Sequence, residues 1–346
     1  MLIRRMGVWA IAALSLVQVG ALDGCRSERS LFRPSSHALV KRAQMHMGTL
    51  VTLTVVAPTH AIAQEAVAEG FTEIRRLEAL WSAWIPTSEI SQVNASAGRA
   101  PVSVSEETMI LLRRSMEVFQ VTEGGFNIAL GPVVDAWGIS REPRVPGAQE
   151  LDRLRSLIEL SSMQLDPKAG TVYLPEPGMR IDIGGIGKGY AADLTAAVLR
   201  NRGATAGVVA LAGDIKTFGD LPDEAGFSFA IQHPRKSGAV LARLNLKDDA
   251  VSTAGDYERF FEQDGVVYHH ILDPNTLRPA RGCQSVTIVA KEGVWADGLD
   301  TGIFVLGPER GMALIESLPD VEGVIVDAEG RVSISSGLQG RVQLEP

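Results

Sequence analysis

The chain has 346 residues, 45% hydrophobic and 21% charged, a globular composition that excludes a disordered or collagen-like protein. A formal net charge of −8 gives no general basic footprint, so no nucleic acid is expected among its partners. The two cysteines, Cys25 and Cys283, are too few for a disulfide framework, and 35 glycines against 5% aromatics predict tight turns and close backbone approaches. A phosphate-bearing ligand would have to be held by backbone N–H groups or a metal rather than by a basic surface.

The first segment reads as a targeting signal. Arg4 and Arg5 precede a short apolar run from Val8 to Val19, too short to span a membrane, and then Ala21-Leu22-Asp23-Gly24-Cys25. The Cys with Leu at −3 and Gly at −1 resembles a bacterial lipoprotein cleavage site, which makes Cys25 the lipidation site. The alternatives are a plain signal peptide with an incidental Cys, or twin-arginine export through Arg4-Arg5. Residues 1–24 are thus expected as signal peptide and 25–40 as lipidated Cys and flexible tether, leaving 41–346 as the folded domain.

Beyond the tether, the β-branched alternation Thr49 to Val56 predicts a strand. Val67, Phe71, Ile74, Leu77 and Trp81 form a helical stripe within Ala61 to Trp81. Ser103 with Glu106 resembles a capping box opening a helix to Val121. A helix is expected from Tyr190 to Arg202, closed by Gly203. Strands follow at Phe227–Gln232, Val240–Leu246, Val266–Leu272, Ser285–Ala290, Gly323–Val326 and Arg331–Ile334, with helices near Ala296–Leu306 and Glu309–Ser317. Mixed elements without regular βα alternation favour an α+β fold over a doubly wound sheet, as one large catalytic unit or two subdomains.

Three stretches could carry chemistry. Asp182-Ile183-Gly184-Gly185-Ile186-Gly187-Lys188-Gly189-Tyr190 fits neither a P-loop nor a dinucleotide fingerprint, yet its glycines admit close approach and the next helix N-terminus could offer free N–H groups to phosphate. The plain alternative is a strand-to-helix turn that needs glycine. Asp297, Asp300 and Thr301 stand at i, i+3 and i+4, so two carboxylates and a hydroxyl share one helix face, oxygen ligands suited to Mg²⁺. Acids in a first turn could instead simply favour the helix dipole. His269 and His270 on a strand would point to opposite faces, so one could face a site while the other is ordinary core or surface.

Together with Met47-Gly48-Thr49, Trp84 to Asn94, Gly124 to Asn127, Gly131-Pro132, Trp137-Gly138, Ala212-Gly213-Asp214, Ser252 to Phe260 and Asp297 to Gly307, these stretches resemble the ApbE-like FAD:protein FMN transferases. The resemblance implies a mixed α/β-sheet architecture, FAD as donor substrate and Mg²⁺ as cofactor. It assigns magnesium to Asp297, Asp300 and Thr301 with the Gly185 carbonyl. It assigns the FAD lining to Met47, Trp84, Gly125, Phe126, Asn127, Asp182, Lys188 and Ile271, with Gly187 giving the backbone its close approach. Trp84 stands where the family usually has Tyr, and Asn127 where Asp is common, which changes the flavin contact or the activity.

The implied reaction moves FMN from FAD to a Thr or Ser hydroxyl of an acceptor protein, releasing AMP. His270 and Asp256 are the candidates for the group that takes or positions the hydroxyl proton. An FAD pyrophosphatase with water as acceptor, and a non-catalytic FAD-binding lipoprotein, are the rival readings. The signal segment implies an extracytoplasmic, lipid-anchored protein on the periplasmic side of a bacterial membrane. The acceptor expected there is an electron-transfer subunit, within reach of a tether of about 12 residues spanning roughly 20 Å. Cys25→Ser should move the protein to the soluble fraction or leave its signal uncleaved. Identical fractionation of both forms as soluble, processed protein would leave only simple secretion.

Overall fold

In a computed structural model, described over residues 37–220 and 226–345, the framework is one large antiparallel sheet. Its strands are Ala38–His46, Thr49–Ala57, Ala206–Leu211, Asp214–Phe218, Ala250–Gly255, Cys283–Ala290, Val321–Asp327 and Val332–Ile334. Their order in space follows their order in the chain, and every neighbouring pair is antiparallel. The helices α1 (His60–Trp81), α2 (Glu89–Ala95), α3 (Glu106–Val121), α4 (Gly131–Trp137), α5 (Ala148–Leu154), α6 (Gly187–Asn201), α7 (Gly293–Leu306) and α8 (Pro308–Ser317) lie between strands in the chain. This is the expected α+β class. The signal segment, Cys25 and most of the tether fall outside the described residues, and the first strand takes in residues 38–40, which the sequence leaves to the tether.

Both faces of the sheet are covered, which explains why its strands read as nearly continuous apolar runs. Val51, Leu53 and Val55 face the helical core with the predicted α1 stripe of Val67, Phe71, Ile74, Leu77 and Trp81. Val56, Val208 and Val289 face a second core, closed by Phe227, Phe229 and Leu244 of a small sheet whose strands include Phe227–Gln232 and Val240–Leu246. Cys283 is buried and unpaired.

Three expected boundaries move. The N-cap of α3 is Ser105, whose Oγ accepts from Thr108 N at 3.3 Å, while Ser103 lies in a short strand. The acid of that cap comes from α2 and not from i+3: Ser105 N and Oγ both donate to Glu89 at 2.9 Å. The single strand predicted over Val266–Leu272 breaks at His270-Ile271, with Val266–His269 pairing Phe260–Gln263 and Leu272–Asp273 pairing Arg278–Pro279.

The third shift concerns the two helices that carry the site. α6 starts at Gly187, three residues early, and α7 starts at Gly293, so Asp297 lies beyond the first turn and does not cap its own helix. That task falls to Asp193 of α6, which accepts from Gly293 N at 2.8 Å and Val294 N at 3.0 Å. Burial raises the Asp193 carboxyl to about 6 despite these two donors. The helices touch backbone to backbone. A Cβ on Gly189 would sit 2.1 Å from Gly293 O, and one on Gly293 would sit 2.5 Å from Gly189 O. Gly189→Ala should therefore force the helices apart and lower stability by roughly 3 kcal/mol. Urea unfolding would measure this, and an unchanged midpoint would contradict the close crossing.

Candidate active site

At this crossing three carboxylates meet. Asp297 and Asp300 share one face of α7, as the i, i+3 spacing requires, and are buried at 2% and 3% exposure. The third, Asp214, is 4% exposed and comes from the sheet. The turn at Ala212-Gly213, with Ala212 at φ +54°, reverses the chain and makes Asp214 the first residue of its strand. One oxygen of each carboxylate lies within 4.8 Å of the others. Ser252, on the neighbouring strand, stands within hydrogen-bond reach of Asp214 Oδ1 and 2.6 Å from Asp300 Oδ2. Thr301 Oγ1 donates to Asp300 Oδ1 at 3.0 Å, and Gly189 N donates to Asp297 Oδ2 at 2.8 Å.

The charges do not balance. The Lys188 ammonium pairs with Asp214 and lies 3.9 Å from Asp297 Oδ1, one cation among three carboxyl groups. The Ser252 hydroxyl has one hydrogen and can serve only one carboxylate at a time. Burial and the neighbouring carboxylates raise both Asp297 and Asp300, while Asp214 and Asp297 raise Lys188 against the effect of its own burial. The pocket is short of positive charge, and its donors are all oxygen. That set fits Mg²⁺. Gly185 lies where a Cβ would meet Thr301 Oγ1 at 3.3 Å and the Phe126 ring at 3.4 Å, so its backbone borders the same group.

Most amides of the glycine loop are already bonded within the chain. Gly184 N donates to Asp182 Oδ1, Gly187 N to Ile183 O, Gly189 N to Asp297 and Tyr190 N to Ile186 O. Gly187 itself is buried, and a Cβ there would meet Ile183 at 2.9 Å, so its small size serves packing rather than ligand approach.

The other expected flavin residues divide into two groups. Gly125 and Phe126 press against α7, where a Cβ on Gly125 would meet Gly302 O at 2.8 Å and one on Gly302 would meet Phe126 Cβ at 3.1 Å. Asp182 shapes the loop, as above, and Lys188 is committed to Asp214. Asn127 caps a short helical turn by accepting from Ala129 N at 2.8 Å, and its amide donates to Ile158 O at 2.9 Å. A carboxylate could not make the second bond, so the amide has a local reason. Ile271 is 4% exposed and belongs to the helical core. Met47 stands on the two-residue turn between the first strands, with φ +50° and Gly48 at +69°, and its N–H donates to Glu78 at 2.7 Å. Trp84 is 67% exposed, with the Arg141 guanidinium stacked 3.7 Å above its ring.

The histidines behave differently, as the alternation on a strand suggests. His269 is satisfied on both sides: Nε2 donates to Ala280 O at 2.7 Å and Nδ1 accepts from Ile271 N at 3.3 Å. His270 has a buried Nδ1 with no partner, and burial, aided by Arg259, holds its pKa down to about 3. Asp256 is held bidentately by Arg235 at 2.6 Å, so both its oxygens are occupied. Sequence reasoning assigned no role to Asp214, Ser252 or Glu258, although all three lie in stretches that carry the resemblance. Enclosure by the chain, with Asp214 adding, raises Glu258 against the pull of Arg259 and Lys188.

The sequence profile of the ApbE family matches residues 47–325. An FAD:protein FMN transferase of Treponema pallidum is 34% identical, over 97% of this chain and 96% of that protein. Among solved structures, the ApbE protein of Thermotoga maritima superposes with a TM-score of 0.81 at 28% identity, covering 88% of this chain and 99% of that one. The flavin transferase ApbE of Vibrio cholerae gives a TM-score of 0.78 at 28% identity, with coverage of 88% and 99%.

The charge imbalance yields a test that needs no turnover. Lys188→Met should destabilise the metal-free protein by roughly 3 kcal/mol, because buried carboxylates lose their paired cation. Millimolar Mg²⁺ should then raise the thermal midpoint more in the variant than in the wild type. Absence of any Mg²⁺-dependent shift in either protein would remove the cation from the site.

Proposed function

The chain belongs to the ApbE family and is a flavin transferase, and we propose that it moves FMN from FAD to a Thr or Ser hydroxyl of an extracytoplasmic protein, releasing AMP. The observation that supports this reading best is the trio Asp214, Asp297 and Asp300, buried around the single cation Lys188 beside a loop whose amides are mostly bonded within the chain. Mg²⁺ held by Asp297, Asp300, Thr301 and the Gly185 carbonyl would neutralise charge on the phosphoryl oxygens and on the AMP leaving group.

The protein's own residues account for the remaining steps. The acceptor oxygen bonds to the phosphorus on the FMN side, the bridging P–O bond breaks toward AMP, and the hydroxyl proton passes to the released AMP phosphate or to solvent. His270 is held neutral by burial, and its unpartnered Nδ1 is enclosed, so it could position that hydroxyl only after a shift that opens it. Asp256 would first have to leave Arg235. Lys188 and Ser252 hold Asp214 and Asp300 in place, and Gly189 N–H orients Asp297. Trp84 offers an exposed ring to the flavin once Arg141 moves aside, and the buried Phe126 backs the loop at Gly185. The signal segment and Cys25 support a lipid-anchored protein facing the periplasm, for which an electron-transfer subunit is the proposed acceptor.

Asp297→Ala should lower AMP release and acceptor labelling at least a hundredfold while FAD affinity, by fluorescence titration, changes only a few-fold. Chelation of the wild type should do the same. Full turnover by the variant would refute the metal assignment, and AMP release with free FMN but no labelled acceptor would make the enzyme a pyrophosphatase.

A further inference from the structure

A hairpin formed by Phe260–Gln263 and Val266–His269 stands out from the fold beside the site. Its two strands pair only with each other. Directly opposed residues of an antiparallel pair share a face, so Phe260 with His269 and Glu262 with Val267 form one face, and Phe261 with Tyr268 lies on the other. The second face is covered near its root, where Phe261 stacks on Tyr268 at 5.2 Å and Tyr268 lies 5.4 Å from Trp137, while Val266 at the tip is 43% exposed. On the first face His269 meets Phe304 of α7 edge-on at 5.6 Å. Directly opposite His269, Phe260 is 47% exposed, and Val267, two residues nearer the tip on the same face, is 41% exposed.

Two apolar side chains are thus left to solvent on the face that continues from the helix carrying Asp297 and Asp300. The strand Ala250–Gly255, whose Ser252 touches Asp214 and Asp300, leads within five residues to Phe260, so the hairpin springs from the edge of the site. We propose that this face of the hairpin docks the protein acceptor, covering Phe260 and Val267 with apolar side chains that flank the accepting Thr or Ser. The inference rests on the transfer reading above, in which a protein must reach this site. Its position beside the reacting groups, rather than exposure alone, names the occupant.

The test uses the purified, unflavinylated soluble domain of an electron-transfer subunit that carries a Thr or Ser flavin site, with FAD and Mg²⁺. Phe260→Ser with Val267→Ser should raise the KM for this acceptor at least tenfold, with kcat and FAD affinity within about twofold of wild type. Val267→Glu alone, at an exposed position, should act in the same direction, and Phe260→Leu with Val267→Ile should restore the wild-type KM. Val266 is equally exposed, at 43%, but on the opposite face, so Val266→Ser should leave the KM unchanged.

An unchanged KM in the double variant, or an equal effect from Val266→Ser, overturns the docking face while the transfer reading stands. Weakened FAD affinity overturns it by assigning the residues to the flavin pocket. A concentration-dependent dimer that the double variant abolishes overturns it in favour of a second copy. A wild type that labels no acceptor overturns the transfer reading and the docking face together.

Discussion

The backbone contact between Gly189 and Gly293 governs the rest of the site. Helices α6 and α7 cross there so closely that neither position has room for a methyl group. Only at that separation can the Gly189 amide donate to Asp297 and Asp193 accept from the first amides of α7. The two bonds run in opposite directions across the crossing, each helix satisfying a terminus of the other. The start of α6 thereby becomes a fixture for a carboxylate of this chain instead of a cradle for a ligand's phosphate.

An electrostatic cost follows from that geometry. Three carboxylates gathered in a dry pocket repel one another, and one lysine offsets only part of the repulsion. Such a site is expensive for the fold to hold and serves no packing need that apolar side chains could not meet. Its persistence is understandable if a divalent cation completes it. Lys188 is then a counter-charge for the carboxylates as much as a group for the substrate.

Much of the fold was legible because its signals are local. The α1 stripe of Val67, Phe71, Ile74, Leu77 and Trp81 is buried as its spacing predicts, and the main strands fall where β-branched runs lie. Asp297 and Asp300 could be paired because they sit on one helix. Asp214 and Ser252 could not, since only the pairing of distant strands brings them to α7. The cap of α3 was misplaced by two residues because its acid, Glu89, comes from another helix. The start of α6 was missed because Gly-Lys-Gly has no apolar rhythm. The amides of the glycine loop looked free because their partners, Asp182 apart, depend on the local fold and on α7.

The order of the large sheet has a consequence for how the chain is made. Thr49–Ala57 forms hydrogen bonds on one side with Ala38–His46 but on the other with Ala206–Leu211, more than a hundred residues further along the chain. Until that later strand has been synthesised, the first hairpin has an open edge and no settled partner. Pairings of such long sequence separation form slowly, after the entropy of closing a large loop has been met. A chain of this topology therefore keeps its first hairpin unpaired on one side until most of the helical layer has been made, and the large sheet closes late.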